Sequence, residues 1–396
     1  MGQAGTEHHS PILGLIIVCV IIFLIVYYIF RRLIHGTKFS RSFKITALFI
    51  PLVTMISYFF MFYLFRYSPK WYPFLDVLMM INGGLWAFAI ILFFLLIFHD
   101  LMLTLFLMGR GILIPGTDRS PFRLKLSAEQ KTVRSIVLTG AAFVFFLIGF
   151  YQALYQPPLV EREISLGSNS KRYVKIAHLT DLHMGMYTGK KWFEKMIENV
   201  NQAGPDLIMI TGDFADSRSD QREELSGMLR QFKAPVCFIS GNHEIMWDYN
   251  EWMQSFSRNG AFVLDGKRKI FFLRGIKVLV AGVKDPGRNP WRFMVNKKFR
   301  TLLKGAPESD IRILLSHRPE ILPEASKQGY DLVLAGHTHG GQTLPFKWFA
   351  RLLTPYPKGF YKVRKTVLFV SPGAGFVGVP LRLGVPKEIT LFTIKL

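Results

Sequence analysis

YVKIAHLTDLH, residues 173–183, is an apolar, β-branched run that ends on Asp181 and His183, and its ending decides how the rest of the chain is understood. Four later strings repeat the arrangement: GD at 212–213, GNHE at 241–244, SH at 316–317 and GHTH at 336–339. Each follows an apolar run of strand length, at 207–211, 236–240, 311–316 and 332–335, with further runs at 278–282, 366–370 and 389–394. Helical stretches at 190–203 and 222–232 separate the first three strands. This alternation predicts an α/β fold whose polar residues gather at the carboxyl edge of a sheet, where such folds place their ligands. Taken singly, a GD is a turn and a histidine at a strand end is a hydrogen-bonded structural residue. The joint pattern carries the chemistry.

Together the strings supply Asp181, His183, Asp213, Asn242, His317, His337 and His339. Two carboxylates, four imidazoles and one amide oxygen are too many donors for one ion. This nitrogen and oxygen set suits Mn, Fe, Zn, Co or Ni. A site for two divalent metals is therefore expected, with manganese the leading candidate. Gly212, Gly241 and Gly336 stand where backbone must approach closely or take a positive φ. His178 lies inside the first strand and reads as packed support.

The order and content of these strings resemble the calcineurin-like metallophosphoesterase superfamily, whose pattern is D-x-H, GD, GNH followed by an acid, H, and GH-x-H. The resemblance covers roughly residues 171–396 and implies two facing sheets flanked by helices, an α/β/β/α sandwich. It further implies that Asp181, His183 and His339 hold one ion and Asn242, His317 and His337 the other, with Asp213 bridging. A hydroxide between the ions would attack phosphorus in line with the leaving group. His243 is implied as the catalytic group that steadies the transition state or protonates the leaving oxygen, with Glu244 orienting its ring. GHTHGGQTLP (336–345) and PLRLGVPKEITLFTIKL (380–396) resemble the membrane-associated branch, which contains transmembrane metallophosphoesterases and bacterial lipid-phosphate and UDP-diacylglucosamine hydrolases. SPGAG (371–375) stands where relatives often carry an arginine.

The remainder is a membrane region, residues 1–156, ahead of a catalytic domain, residues 157–396. Apolar segments at 11–30, 43–65, 74–108 and 133–155 each meet the ~20 residues needed to cross a bilayer. The third exceeds one ideal span, so its ends are expected at an interface. MGQAGTEHHS ahead of the first lacks the Lys or Arg of a signal peptide, so four retained helices are expected. Basic residues cluster after the first helix (Arg31, Arg32, Lys38, Arg41, Lys44) and after the third (Arg110, Arg119, Arg123, Lys125, Lys131, Arg134). Only Arg66 and Lys70 lie between the second and third. The positive-inside rule then puts the catalytic domain on the periplasmic or extracellular side of a multi-pass protein. Cys19 and Cys237 offer no disulfide, and Cys237 reads as a packing residue. His99 and Asp100 fall in the third segment and are not assigned to the site.

Net charge is +22, and basic residues interleave with aromatics at 289–305 and 345–361, as in segments that sit among anionic headgroups. The expected substrate is a phosphate ester or pyrophosphate on a membrane lipid or lipid-linked molecule, with the bilayer as partner and no nucleic acid. Two alternatives stay open: a UDP-diacylglucosamine-type pyrophosphatase with a cytoplasmic domain, and a membrane ligand sensor without turnover. A sensor would be expected to have lost ligands. All seven are present.

Overall fold

The computed structural model describes residues 11–67, 73–113, 126–167, 171–185, 187–287 and 302–396. Most of the basic aromatic stretch at 289–305, including Trp291 and Phe293, and Arg119, Arg123 and Lys125 of the second basic loop lie outside these. Two compact units form: one comprises the chain up to Met61 with Leu85–Leu147, the other Phe62–Gly84 with Ile148–Leu396.

The first unit is built from four helices, α1 (Pro11–Leu33), α2 (Arg41–Tyr67), α3 (Pro73–Leu113) and α4 (Ala128–Leu154), of which α2 to α4 also extend into the second. Among the described residues, Arg41–Met61, Phe74–Gly109 and Ala128–Leu154 are long and apolar enough to cross a membrane. α3 has 41 residues, so at about 1.5 Å per residue it is far longer than a ~30 Å hydrocarbon core. Asp100 binds α1 to α3: it pairs with Arg32 and accepts a 2.7 Å hydrogen bond from Tyr28 Oη. His99 Nδ1 lies 3.1 Å from the same carboxylate. Both residues are thus absorbed by helix pairing inside the bundle.

The second unit holds two six-stranded sheets. The first runs β1 (Leu159–Ser165), β12 (Ile389–Lys395), β2 (Tyr173–Leu179), β3 (Leu207–Thr211), β4 (Val236–Ile239), β5 (Phe262–Val263). The second runs β10 (Gly359–Val363), β11 (Thr366–Val370), β9 (Leu332–Ala335), β8 (Ile311–Leu315), β7 (Ile276–Gly282), β6 (Lys267–Leu273). Alternate residues of each strand point to opposite faces. Val174, Ile176, Met209, Cys237 and Ile239 of the first sheet therefore meet Val278, Val280, Ile313, Leu332 and Phe369 of the second in one buried core. The other face of the first sheet packs on α5 (Lys190–Ala203), α6 (Glu223–Gly227) and α8 (Tyr249–Arg258), whereas that of the second sheet packs on α9 (Leu322–Gln328). Between α6 and α8 lies the short α7 (Asn242–Trp247), and α10 (Phe346–Leu353) follows β9. The result is the four-layer α/β/β/α arrangement. Cys237 lies in the inter-sheet core, where burial pushes its thiol up to about 12.

Two expectations need correction. The runs at 366–370 and 389–394, last in the chain, are together expected to close the second sheet, but β12 lies in the first, parallel to β1 and antiparallel to β2. Both sheets offer strand positions covered on two faces, so an apolar run such as ITLFTIK fits either. The helix at 222–232 is shorter than expected: α6 gives way after Gly227 to a 3₁₀ turn at Met228–Gln231. Glycine supports a helix interior poorly.

Within this unit the inner ends of α3 and α4 are bonded to the sheets' loops. Arg222 donates to both oxygens of Asp76 at 3.1 Å and to Gly185 O at 2.9 Å. Lys387 Nζ donates to Ala153 O at 2.7 Å, satisfying a carbonyl at the end of α4 that has no partner inside the helix.

Trp252 shows what the outer core contributes. It is fully buried, stacks on Phe256 at 5.2 Å between ring centroids and donates from Nε1 to Ser217 O at 2.9 Å. Trp252→Ala is expected to cost about 3–5 kcal/mol, read as a lowered midpoint for cooperative unfolding of the catalytic unit in detergent. An unchanged midpoint would remove this core from the account.

Candidate metal centre

Every residue marked by the five strings lies just past the carboxyl end of a strand. Asp181 and His183 follow β2, Asp213 follows β3, Asn242 follows β4, His317 follows β8, and His337 and His339 follow β9. Since β2, β3 and β4 run parallel, as do β8 and β9, these ends share an edge within each sheet. The pairing continues past the strands, with Asp181 N donating to Gly212 O at 3.1 Å, His183 N to Asp213 O at 3.0 Å and Gly336 N to His317 O at 3.0 Å.

Five of the seven residues have left-handed backbone: Asp181 (φ 52°), His183 (45°), Asp213 (52°), His337 (71°) and His339 (48°). Non-glycine residues rarely adopt this region, at a cost of about 1–3 kcal/mol each, and such strain gathers at functional sites. Glycines give the room. A Cβ on Gly241 would lie 2.1 Å from Asp213 Oδ1, and one on Gly336 would lie 2.2 Å from both Asp181 Oδ2 and Thr180 Oγ1.

The side chains converge in two groups. Donor atoms of Asp181, His183 and His339 lie within 4.8 Å of one another, as do those of Asp213, His317 and His337. His183 Nε2 is 3.0 Å from His339 Nε2, which is 3.5 Å from Asp181 Oδ1. In the second group His317 Nε2 is 3.1 Å from Asn242 Oδ1 and 3.2 Å from His337 Nδ1. Asp213 Oδ2 stands between the groups, 3.6 Å from His183 Nε2 and 3.2 Å from His317 Nε2. All seven residues are thus brought together, in the two sets that the resemblance implies.

At His317 and His183 the hydrogen-bond partners fix which ring nitrogen faces the centre. His317 Nδ1 is 2.8 Å from Thr211 O, and His183 Nδ1 is 2.8 Å from Asp216 Oδ1. Both oxygens only accept, so both Nδ1 atoms carry hydrogen. With Nδ1 so committed, each ring in its neutral form would offer the Nε2 lone pair to a cation.

Asp216 is a residue that sequence reasoning missed. It also accepts a hydrogen bond from His243 Nδ1, so one carboxylate holds both His183 and His243. The expectation that Glu244 orients His243 is corrected. Glu244 is fully buried, and its carboxylate accepts from the backbone N–H groups of Gly241 (2.7 Å), Asp213 (3.0 Å) and Phe214 (2.6 Å). Successive residues on α7 point about 100° apart, so Glu244 faces the Asp213 turn while His243 faces the site. Burial and the adjacent Asp213 charge push the Glu244 acid up to about 7. At His243 burial works against the charged ring, yet Asp216 and Asp213 push it up to about 10.

Two arginines were also missed. Arg318, next to His317, donates to Asp285 Oδ2 at 2.9 Å and to His337 Nε2 at 2.7 Å. Arg382 is fully buried and donates to His339 Nδ1 at 3.0 Å, Pro372 O at 2.8 Å and Gly375 O at 2.6 Å. Its guanidinium therefore occupies the SPGAG turn that carries no arginine of its own. Asp216 could have been suspected from GDFAD, three residues past Asp213; no local signal marks Arg382. His178 stays outside the site, bonded to Thr211 Oγ1 at 2.9 Å, with burial pushing its ring down to about 3.

These roles separate two variants. Asp216→Ala removes the partner of His183 and should weaken metal binding about 10–100-fold. His243→Ala should keep its metal and lose about two to four orders of magnitude in turnover. Elemental analysis of the purified variants alongside hydrolysis of bis-p-nitrophenyl phosphate checks both, and equal metal loss in the two would refute the separation.

A family model described as calcineurin-like phosphoesterase matches residues 174–341. A zebrafish protein named transmembrane protein with metallophosphoesterase domain is 27% identical over 90% of this chain and 81% of its own length. An uncharacterized metallophosphoesterase of Campylobacter jejuni is 29% identical over 93% and 94%. One of Helicobacter pylori strain 26695 is 32% identical over 67% of this chain and 72% of its own. With its five strings folded into one centre between two sheets, the chain belongs to the calcineurin-like metallophosphoesterase family, whose members are metal-dependent phosphoesterases.

Proposed function

We propose that this protein hydrolyses a phosphate ester or pyrophosphate carried by a membrane lipid or lipid-linked molecule, on the periplasmic or extracellular side of the membrane. The observation that carries the hydrolytic reading is the convergence of Asp181, His183, Asp213, Asn242, His317, His337 and His339 at one sheet edge. Asp181, His183 and His339 would hold one divalent ion, Asn242, His317 and His337 a second, and Asp213 would be shared. Bound there, two ions lower the pKa of a water and neutralise phosphate oxygens, which otherwise repel the attacking group.

The chain's own residues do the rest. Glu244 fixes the Asp213 turn through three backbone N–H groups, and His243 N donates to Asp213 Oδ1 at 2.9 Å. Asp216 anchors His243 through Nδ1, which leaves Nε2 to donate a proton to a departing oxygen. His243 is 14% exposed, whereas His183 and His317 are fully enclosed, so it is the more accessible of these imidazoles. Arg318 is likewise 14% exposed beside His337 and adds positive charge toward an anionic substrate.

The lipid assignment rests on membrane association. Three described helices are apolar enough to cross a bilayer, and a relative is named a transmembrane protein. A tether holds the centre at high effective concentration beside lipid substrates. Sidedness rests on the basic loops that flank the first and third helices.

Detergent-purified protein loaded with manganese, offered lipid phosphates, lipid pyrophosphates and UDP-diacylglucosamine, should release product from one lipid class. Asp213→Asn should abolish it. Silence across that panel from metal-loaded protein, with hydrolysis of soluble phosphodiesters retained, would overturn the lipid assignment. A topology reporter fused after Leu396 should report the outer side. Cytoplasmic signal would instead support the UDP-diacylglucosamine-type reading.

A further inference from the structure

α10 presents a feature that neither the metal centre nor the core explains. Its eight residues, FKWFARLL, include none that is buried. Trp348 is 62% exposed, Leu352 82% and Leu353 85%, with Phe346 and Phe349 also exposed. At about 100° per residue, these five share one broad face while Lys347 and Arg351 share the opposite one. An isolated helix this short is marginal in water. Its order must come from what it rests against, and the described residues leave most of the surface of Trp348, Leu352 and Leu353 uncovered. Monomers seldom leave so contiguous an apolar face open to solvent.

The unit's own contacts indicate what covers it. Leu344 N, just ahead of α10, donates to Leu383 O at 2.9 Å, and Lys347 Nζ donates to Gly384 O at 3.3 Å. The same segment packs on α4: Arg382 N donates to Gly149 O at 2.9 Å, and a Cβ on Gly149 would lie 2.5 Å from Leu381 Cδ1. Gly149 lies five residues before Leu154, the last of the apolar span Ala128–Leu154. That is about 8 Å along the axis. A 27-residue helix is long enough to span a ~30 Å hydrocarbon core with about 10 Å to spare. Gly149 therefore lies in the last turns of the apolar span, and α10 is joined to it through residues 381–384.

We propose that α10 is an interfacial helix, lying in the plane of the bilayer that α4 crosses, with Trp348, Phe349, Leu352 and Leu353 among the upper acyl chains and Lys347 and Arg351 at headgroup level. Apolar burial on one face and cation–headgroup attraction on the other are how such helices bind. α10 starts seven residues after His339, and Lys347 N donates to Thr343 O at 3.0 Å in the intervening turn. Docking α10 thus holds the candidate metal centre against the membrane surface. This holds whether or not the substrate is a lipid.

The test places a nitroxide on Leu352→Cys in full-length protein carrying Cys19→Ala, reconstituted in nanodiscs containing anionic lipid; Cys237 is buried and stays unlabelled. Collisional relaxation by oxygen is compared with that by a water-soluble nickel chelate, with Lys327→Cys on α9 as the aqueous reference. The expected result is strong oxygen and weak nickel accessibility at position 352, reversed at 327. Nickel accessibility equal to that at 327 would show a face open to water and overturn the proposal. So would protection from both reagents with spin–spin broadening, which would mark a second copy as the occupant. Neither reading depends on turnover, so failure of the lipid-substrate assignment leaves this result standing.

Discussion

Buried negative charge is the constraint from which the catalytic unit is organised. Asp181, Asp213, Asp216 and Glu244 lie beneath the sheet edges, each with under a tenth of its surface exposed. Carboxylates in such a place are tolerable only if cations and hydrogen bonds offset the loss of water. They respond unequally. Burial, with the Asp213 charge beside it, raises the Asp181 acid against the pull of His317 and His183. At Asp213 burial acts in the same sense, but His317 and His243 hold the carboxyl well below its usual range. Imidazoles, the flanking guanidiniums of Arg318 and Arg382, and three N–H groups on Glu244 share the compensation. Divalent metal is a compact way to complete it.

Holding those groups together strains the backbone. Left-handed φ values at Asp181, His183, Asp213, His337 and His339 would relax in an isolated loop. They persist because each residue leaves a strand whose carboxyl end is buried, and because the exits cross-bond: Met184 N donates to Phe214 O at 2.9 Å and Gly375 N to Asp181 O at 2.8 Å. The two-sheet core of Val174, Met209, Val278 and Phe369 thus does more than stabilise. It fixes the directions from which donors enter the centre.

The layers and the clustering of the candidate ligands were legible because both depend on local signals. A covered parallel strand must be a short apolar run, and the residue after it must turn; 207–211, 332–335 and 366–370 coincide with β3, β9 and β11. What was not legible depends on tertiary placement. ITLFTIK satisfies either sheet, and only the finished pairing with β1 and β2 selects the first. Glu244 and Asp216 are both acids near His243 in space, but helix geometry turns one toward the Asp213 backbone and leaves the other under the ring. Trp348 and Phe349 could have packed inward by composition alone. Their exposure is set by how residues 343–344 bond to Leu383.

Arg382 shows that the end of α4 does more than tether the domain. Its backbone N–H is bonded to Gly149 O of α4, a close approach that glycine eases, since a Cβ there would lie 2.5 Å from Leu381 Cδ1 and 3.3 Å from Arg382 O. Its buried guanidinium meanwhile holds Pro372 O, Gly375 O and His339. The turn at 371–375 is itself bonded to the exit of β2, through Ala374 N to Thr180 O and Gly375 N to Asp181 O. A buried cation is costly without partners, and these supply them. Any displacement of the end of α4 must either break the bond at Gly149 or pass through Arg382 into the turn that supports Asp181. The contacts that hold the end of α4 within this unit are therefore continuous with those that fix its candidate ligands.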